Sequence, residues 1–261
     1  VYRHDARWAY IVMCCMYPVI CATSQQDDEF VLSEHTYCLH ERPNMPGVAY
    51  TEFHIMYVIG PHIVLLLRSD LLPEIVEDMD DAAKQTRERE LAKGMRAYPN
   101  PDQARSLLHD LPVAKPQKTY TRDVHNRMVF SGTGVPTVET DKLLFPLFSI
   151  DSETVQLIIS VIFEKAFGLS TIVYCTSTAL RLALDFYLAL STREGDFSMK
   201  NVLDEPDLKY LYLKKLQSVS HNLGSTTKVV CKVKRSTKYQ GVDWLSKQPL
   251  IRSRSRVTSL C

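Results

Sequence analysis

The sequence predicts an α+β fold, a mixed or antiparallel sheet with flanking helices, in an N-terminally truncated domain. Two stretches carry this. Residues 143–190 change type in order: "LLFPLFSI" reads as a strand, "DSETVQLIISVIFEKAFG" as a helix, "LSTIVYC" as a strand and "TSTALRLALDFYLAL" as a helix. Upstream, "TEFHIMYVI" and "HIVLLLRS" are apolar, β-branched runs parted by Gly60-Pro61, which predicts strand, turn, strand.

Residues 5–17 predict a helix that ends or kinks at Pro18. It is apolar nearly all round, so it should be central. "EFVLS" (29–33) predicts a strand. Pro73 opens a charged surface helix through about Ala97, with Glu74, Glu77 and Asp78 near its positive end and Lys93 and Arg96 near the other. Ile75, Met79, Ala82 and Ala83, with Leu91 and Met95, give it a weak apolar stripe. Asn100 and Pro101 start a second short helix. Residues 112–141 are irregular, with a weak hairpin around His125-Asn126. In the sharper half, Asp151 or Ser152 caps one helix, which stops at Gly168, and Thr176 or Ser177 starts the next. A last amphipathic helix starts at Pro206, so residues 1–217 form the α+β domain. Residues 218–261 read as a basic, poorly ordered tail with at most a short strand at "TKVVCKV".

The net charge of +1 hides a split. From Lys228 onward nine Lys or Arg face a single acid, Asp243, whereas the preceding residues hold 22 bases and 29 acids. The seven cysteines are scattered, without a C-x-x-C pair, and suit reduced thiols in an intracellular protein of cytoplasm or nucleus. The apolar run Trp8–Ala22 contains Pro18 and falls short of the roughly 20 residues that cross a bilayer. No membrane span is expected.

Four segments in this order, "DARWAYIVMCCMYPVICATSQQDDEFVLSEHTY", "YTEFHIMYVIGPHIVLLLRSDLLP", "LLHDLPVAKPQKTY" and "LLFPLFSIDSETVQLIISVIFEKAFGLSTIVY", carry a resemblance. Together they resemble fungal members of the family catalogued as domain-of-unknown-function family 4238, over about residues 5–190. The resemblance implies a domain lacking the family's N-terminal helical region, and it implies no reaction. Where the family typically has Ser-Asp-Asn this chain has Ser33-Glu34-His35, and Ile159 stands where an Asn is frequent.

The stretch "DDEFVLSEH" holds the most suggestive polar residues. Side chains alternate along a strand, so adjacent Ser33, Glu34 and His35 cannot form a relay with one another. A carboxylate-histidine metal cluster needs another strand: Glu52 and His54, two apart, would join Glu34 or His35. The plainer reading makes Asp27, Asp28 and Glu29 a solvated loop end, and Glu34 and His35 a turn. Glu34, in line with Phe30 and Leu32, needs a partner if buried. Arg68, in line with His62, holds an anion or pairs with Asp70, the pair being preferred. Asp78, Asp80 and Asp81 read as a solvated face; Phe145, Phe148, Phe163 and Phe167 read as core. In the tail, Lys232, Lys234, Arg235, Arg252, Arg254 and Arg256 suit nucleic acid or an acidic protein partner.

The sequence thus predicts a non-catalytic interaction or regulatory module without a cofactor. The alternative is a metal-assisted hydrolase or nuclease-like enzyme with a divalent ion on Glu34, His35, Glu52 and His54.

Overall fold

The computed structural model describes residues 16–34, 39–40, 54–96, 108–122, 128–131, 135, 143–169, 171–192, 199–203, 208–234 and 256–259. Its centre is a mixed sheet of four main strands, β1 (Met16–Thr23), β4 (Ile55–Gly60), β5 (Ile63–Ser69) and β10 (Leu147–Ile150), extended by the two-residue β3 (Leu39–His40). The order is β10-β1-β5-β4-β3. Strand β1 is antiparallel to β5 and parallel to β10. The expected hairpin at Gly60-Pro61 joins β4 to β5, with a register shift between Val58 and Gly60.

The apolar run expected to be helical through Tyr17 is, from Met16 onward, the central strand β1. The rest of that expected helix, with Cys14-Cys15, lies outside the described residues. Tyr17, Val19 and Cys21 are buried on one face, and Met16, Pro18 and Ile20 are half-buried on the other. A strand that is apolar on both faces hides its period of two and imitates a buried helix. Pro18 fits because amides two apart point the same way along a strand. Ile20 N donates towards β10, to Pro146 O. Pairing with β10 begins only at Ile20, so the donor that Pro18 lacks faces past its end.

The central helix is instead α2 (Ser152–Lys165), following α1 (Asp81–Met95). Asp151 caps α2, its carboxylate accepting from Thr154 N at 2.8 Å, and Gly168 just beyond its end takes φ +89°. Val155, Ile158, Ile159 and Ile162 of α2 meet Val19, Cys21, Met56, Val64 and Leu66 of the sheet in one core. Ile159 is fully buried there. Helices α3 (Ser177–Ala189) and α4 (Leu208–Asn222) complete this core with Ala183, Leu184, Tyr187, Leu213 and Leu216.

The strand-helix-strand-helix order is present but does not build one sheet. Strand β11 (Thr171–Tyr174) lies in a second sheet, between β2 (Leu32–Ser33) and β14 (Arg256–Ser259). The expected strand 29–33 is therefore reduced to two residues. Strands β7 (Tyr120–Arg122) and β8 (Met128–Phe130) pair as the weak hairpin, its tip outside the described residues. Strand β6 (Gln117–Lys118) pairs with β9 (Leu143–Leu144). Residues 100–107 of the expected short helix also lie outside the description; 108–110 form a turn.

Three further expectations are corrected. The charged helix is broken in two: a 3-10 turn covers Ile75–Met79, and Asp80 Oδ1 accepts from Ala82 N and Ala83 N to start α1 afresh. The last helix runs past its expected end at residue 217, and a short strand lies at the end of "TKVVCKV", as expected. Helix α4 runs to Asn222, and strand β13 (Lys232–Lys234) pairs in parallel with β12 (Asn201–Leu203). Of the four phenylalanines expected in the core, Phe145 and Phe167 are 43% and 40% exposed. Among the described residues, no helix is long and apolar enough to cross a membrane.

The Asp151 cap gives a direct test. Hydrogen bonds from Thr154 hold the Asp151 carboxyl below its ordinary range, so its contribution is present at neutral pH and is lost as pH falls through that lowered value. Asp151→Ala should lower the unfolding free energy at pH 7 by about 1 kcal/mol. In urea titrations the difference from the parent should shrink towards pH 3.

Candidate functional site

The suggestive acids lie where the sheet meets the starts of two helices. Asp27 is exposed, as expected of a solvated loop end. Asp28 is 7% exposed, and its Oδ2 accepts from Ser152 Oγ at 2.6 Å, at the first residue of α2. Glu29 Oε2 accepts from Thr176 N at 3.0 Å and Thr176 Oγ1 at 2.9 Å, and Thr176 in turn caps α3. Anionic oxygens suit both places, because helix starts carry unpaired N–H groups and a positive partial charge. His62 completes the junction: its Nδ1 donates to Asp28 O at 3.0 Å, with Thr23 Oγ1 3.3 Å away. Two of the three acids are thus ties, not a loop end. Phe30 and Val31, next in the chain, are buried in the core.

The four residues of the metal alternative do not separate cleanly from such ties. Glu34 is exposed in the turn after β2, and His54 is 1% exposed at the start of β4, in the other sheet. His35 and Glu52 lie outside the described residues. His54 Nε2 accepts from Arg68 Nε at 3.0 Å, so a guanidinium occupies the lone pair that a metal ion would need. Among the described residues, no group of three or more His, Cys, Asp or Glu is placed to hold an ion.

Arg68 is 1% exposed, far more buried than a residue at a strand end needs to be. Besides His54 it donates to Pro112 O at 2.5 Å and Leu111 O at 2.9 Å, tying the 108–116 connection to the sheet. Burial pushes the thiol of Cys21, on the same face, up to about 12 despite the opposing pull of Arg68. That thiol is inert.

A second buried cation, Lys200, gave no signal in the sequence. It is fully buried with φ +53°, and its Nζ donates to Tyr187 O at 2.7 Å, Leu188 O at 3.1 Å and Leu190 O. These carbonyls close the end of α3, where a cation is favoured. Lys200 N also donates to Glu164 Oε2 at 3.1 Å. The same carboxylate accepts from Tyr187 Oη at 2.7 Å and pairs with Lys209 of α4. One glutamate therefore joins α2, α3, α4 and the approach to β12. Only an acid near the end of an apolar helix and a lone lysine in a polar stretch mark this in the sequence.

The basic residues are divided. Lys232 and Lys234 lie in β13 and Arg256 in β14, while Arg235, Arg252 and Arg254 lie outside the described residues. A separate groove of about 830 Å³ opens beside Glu74, Lys115, Tyr120, Ser131, Leu144 and Phe145.

Burial holds the Lys200 amine down at about 8, with Glu164 and Cys231 acting against the shift. Between there and the ordinary value of 10.5 the unfolded chain keeps a proton that the folded chain has lost, so stability should rise with pH across that window. Urea titrations from pH 7.5 to 9.5 should show this rise in the parent and not in Lys200→Met. Arg68→Ala should cost about 3 kcal/mol at pH 7, because it removes a buried guanidinium and strands two part-buried carbonyls and the imidazole nitrogen of buried His54.

No curated protein and no solved structure matches the chain. A family model does match, over residues 1–178, and so covers the sheet, the Asp28 and Glu29 junction and all of α2. Its match ends at the start of α3, so the Lys200 clamp lies beyond it. The chain belongs to the family described as protein of unknown function (DUF4238).

Proposed function

We propose that the chain is a non-catalytic interaction module whose basic C-terminal residues contact an acidic partner surface, with nucleic acid the partner to test first. One observation carries the reading: buried and half-buried charges are spent on the chain's own groups, at helix ends and in a connection. Asp28 and Glu29 hold helix starts, Arg68 holds loop carbonyls, and Lys200 holds a helix end.

The placement of β13 and β14 supports a role for the cations between them. Strand β13 is anchored on β12 and β14 on β11. The connecting residues 235–255 include Arg235, Lys238, Lys247, Arg252 and Arg254 against the single acid Asp243. A cationic segment tethered at both ends loses less freedom on binding than a free tail does. Deleting residues 228–261 would remove both anchoring strands, so neutral substitutions are the cleaner probe.

Fluorescence anisotropy with a 20-base-pair duplex at low salt tests the reading. The parent should bind with strong salt dependence, and the triple variant Arg235→Ala, Arg252→Ala, Arg254→Ala should reduce the salt slope by about 2–3. Equal binding by parent and variant, or no binding by the parent, would overturn it for nucleic acid.

A further inference from the structure

The 3-10 turn Ile75–Met79 is amphipathic the wrong way round. Side chains three apart share a face in such a turn. Glu74 and Glu77 share the face turned to the protein: Glu74 Oε1 accepts from Lys115 N at 2.7 Å, and the Glu77 carboxylate accepts from Lys115 Nζ at 2.8 and 2.9 Å. Arg87 of α1 closes the other side, donating to Glu77 O at 2.6 Å and Asp78 Oδ1 at 2.8 Å. The side chains of Lys115 and Arg87 are each only 17% exposed. The apolar residues are left outside, with Ile75 89%, Val76 74% and Met79 82% exposed. The first two residues of the expected apolar stripe, Ile75 and Met79, thus face water. Rotating the turn to bury them would break the Lys115–Glu77 pair.

We propose that Ile75, Val76 and Met79 form a docking surface for a basic amphipathic helix of a partner protein. Charge selects this occupant. Residues 70–81 hold six acids, Asp70, Glu74, Glu77, Asp78, Asp80 and Asp81, and no Lys or Arg. Asp78, Asp80 and Asp81, within or next to the turn, are exposed like the apolar triad, and Asp70 is exposed just ahead of it. These acids repel anionic membranes and nucleic acid and complement cations flanking an apolar helix face. The proposal deepens the interaction reading above by adding a second surface of opposite charge.

The test is anisotropy of a labelled 14-residue Leu/Lys amphipathic peptide, with its Leu/Glu counterpart as control. The parent should bind the Leu/Lys peptide at least ten-fold more tightly than the control. Ile75→Ser with Met79→Ser should weaken that binding at least ten-fold and leave the thermal midpoint unchanged, because both side chains are exposed. Unaltered binding in this variant, or equal binding of both peptides, would overturn the assignment. So would sedimentation that shows a parent dimer lost in the variant, since the face would then belong to a second copy. Duplex binding reads the C-terminal cations separately, so failure here with duplex binding intact would remove this surface and leave the interaction reading standing.

Discussion

Two neighbouring carboxylates hold the architecture together at one point. Asp28 reaches Ser152, 124 residues later, and Glu29 reaches Thr176, 147 residues later. Each meets the first turn of a helix, where N–H groups lack partners and the peptide dipoles favour negative charge. Their own backbone is fixed to the β4–β5 turn, through His62 Nδ1 to Asp28 O and Phe30 N to Pro61 O. The sheet, α2 and α3 are thereby set relative to one another next to Phe30 and Val31, which are buried in the core. A pair of acids that reads in the sequence as a solvated loop end acts as a corner bracket.

The same logic recurs with opposite sign. Arg68 and Lys200 are buried cations whose described partners are mostly main-chain carbonyls, in the 108–116 connection and at the end of α3. A buried charge is tolerated only when its hydrogen bonds are made, and removing the charge strands its acceptors. Using ionic groups to fasten irregular connections allows short strands and broken helices to be held without a larger apolar core. The 3-10 turn carries this furthest, with its ion pairs inside and its apolar side chains outside.

How much of this was legible depends on the range of the interaction. Asp151 and Thr176 act on residues three away and Gly168 ends its helix locally; the sequence marked Gly168 and narrowed each cap to two neighbours, Asp151 or Ser152 and Thr176 or Ser177. The β4–β5 hairpin was equally legible, because Gly60-Pro61 parts two β-branched runs. Strand β1 was not, since apolar residues on both its faces erase the period of two. Ile75 and Met79 were misassigned because the stripe assumes one unbroken helix, and Asp80 resets the count by capping α1. The ties of Asp28, Glu29, Arg68 and Lys200 span from 10 to 147 residues, and no local pattern encodes such pairings. Glu34, expected in line with Phe30, is exposed because the strand there is only two residues long.

The central claim is that the Asp28 and Glu29 carboxylates serve the fold and not an ion. The most direct measurement is the thermal unfolding midpoint of the parent, Asp28→Ala and Glu29→Ala, each in EDTA and with Mn²⁺, Mg²⁺ or Zn²⁺ added. Ties of this kind predict that both variants unfold earlier than the parent by an amount equivalent to about 1–2 kcal/mol, with or without metal. A parent midpoint that rises with one metal, and a rise that either substitution abolishes, would contradict the account and make the junction a ligand site.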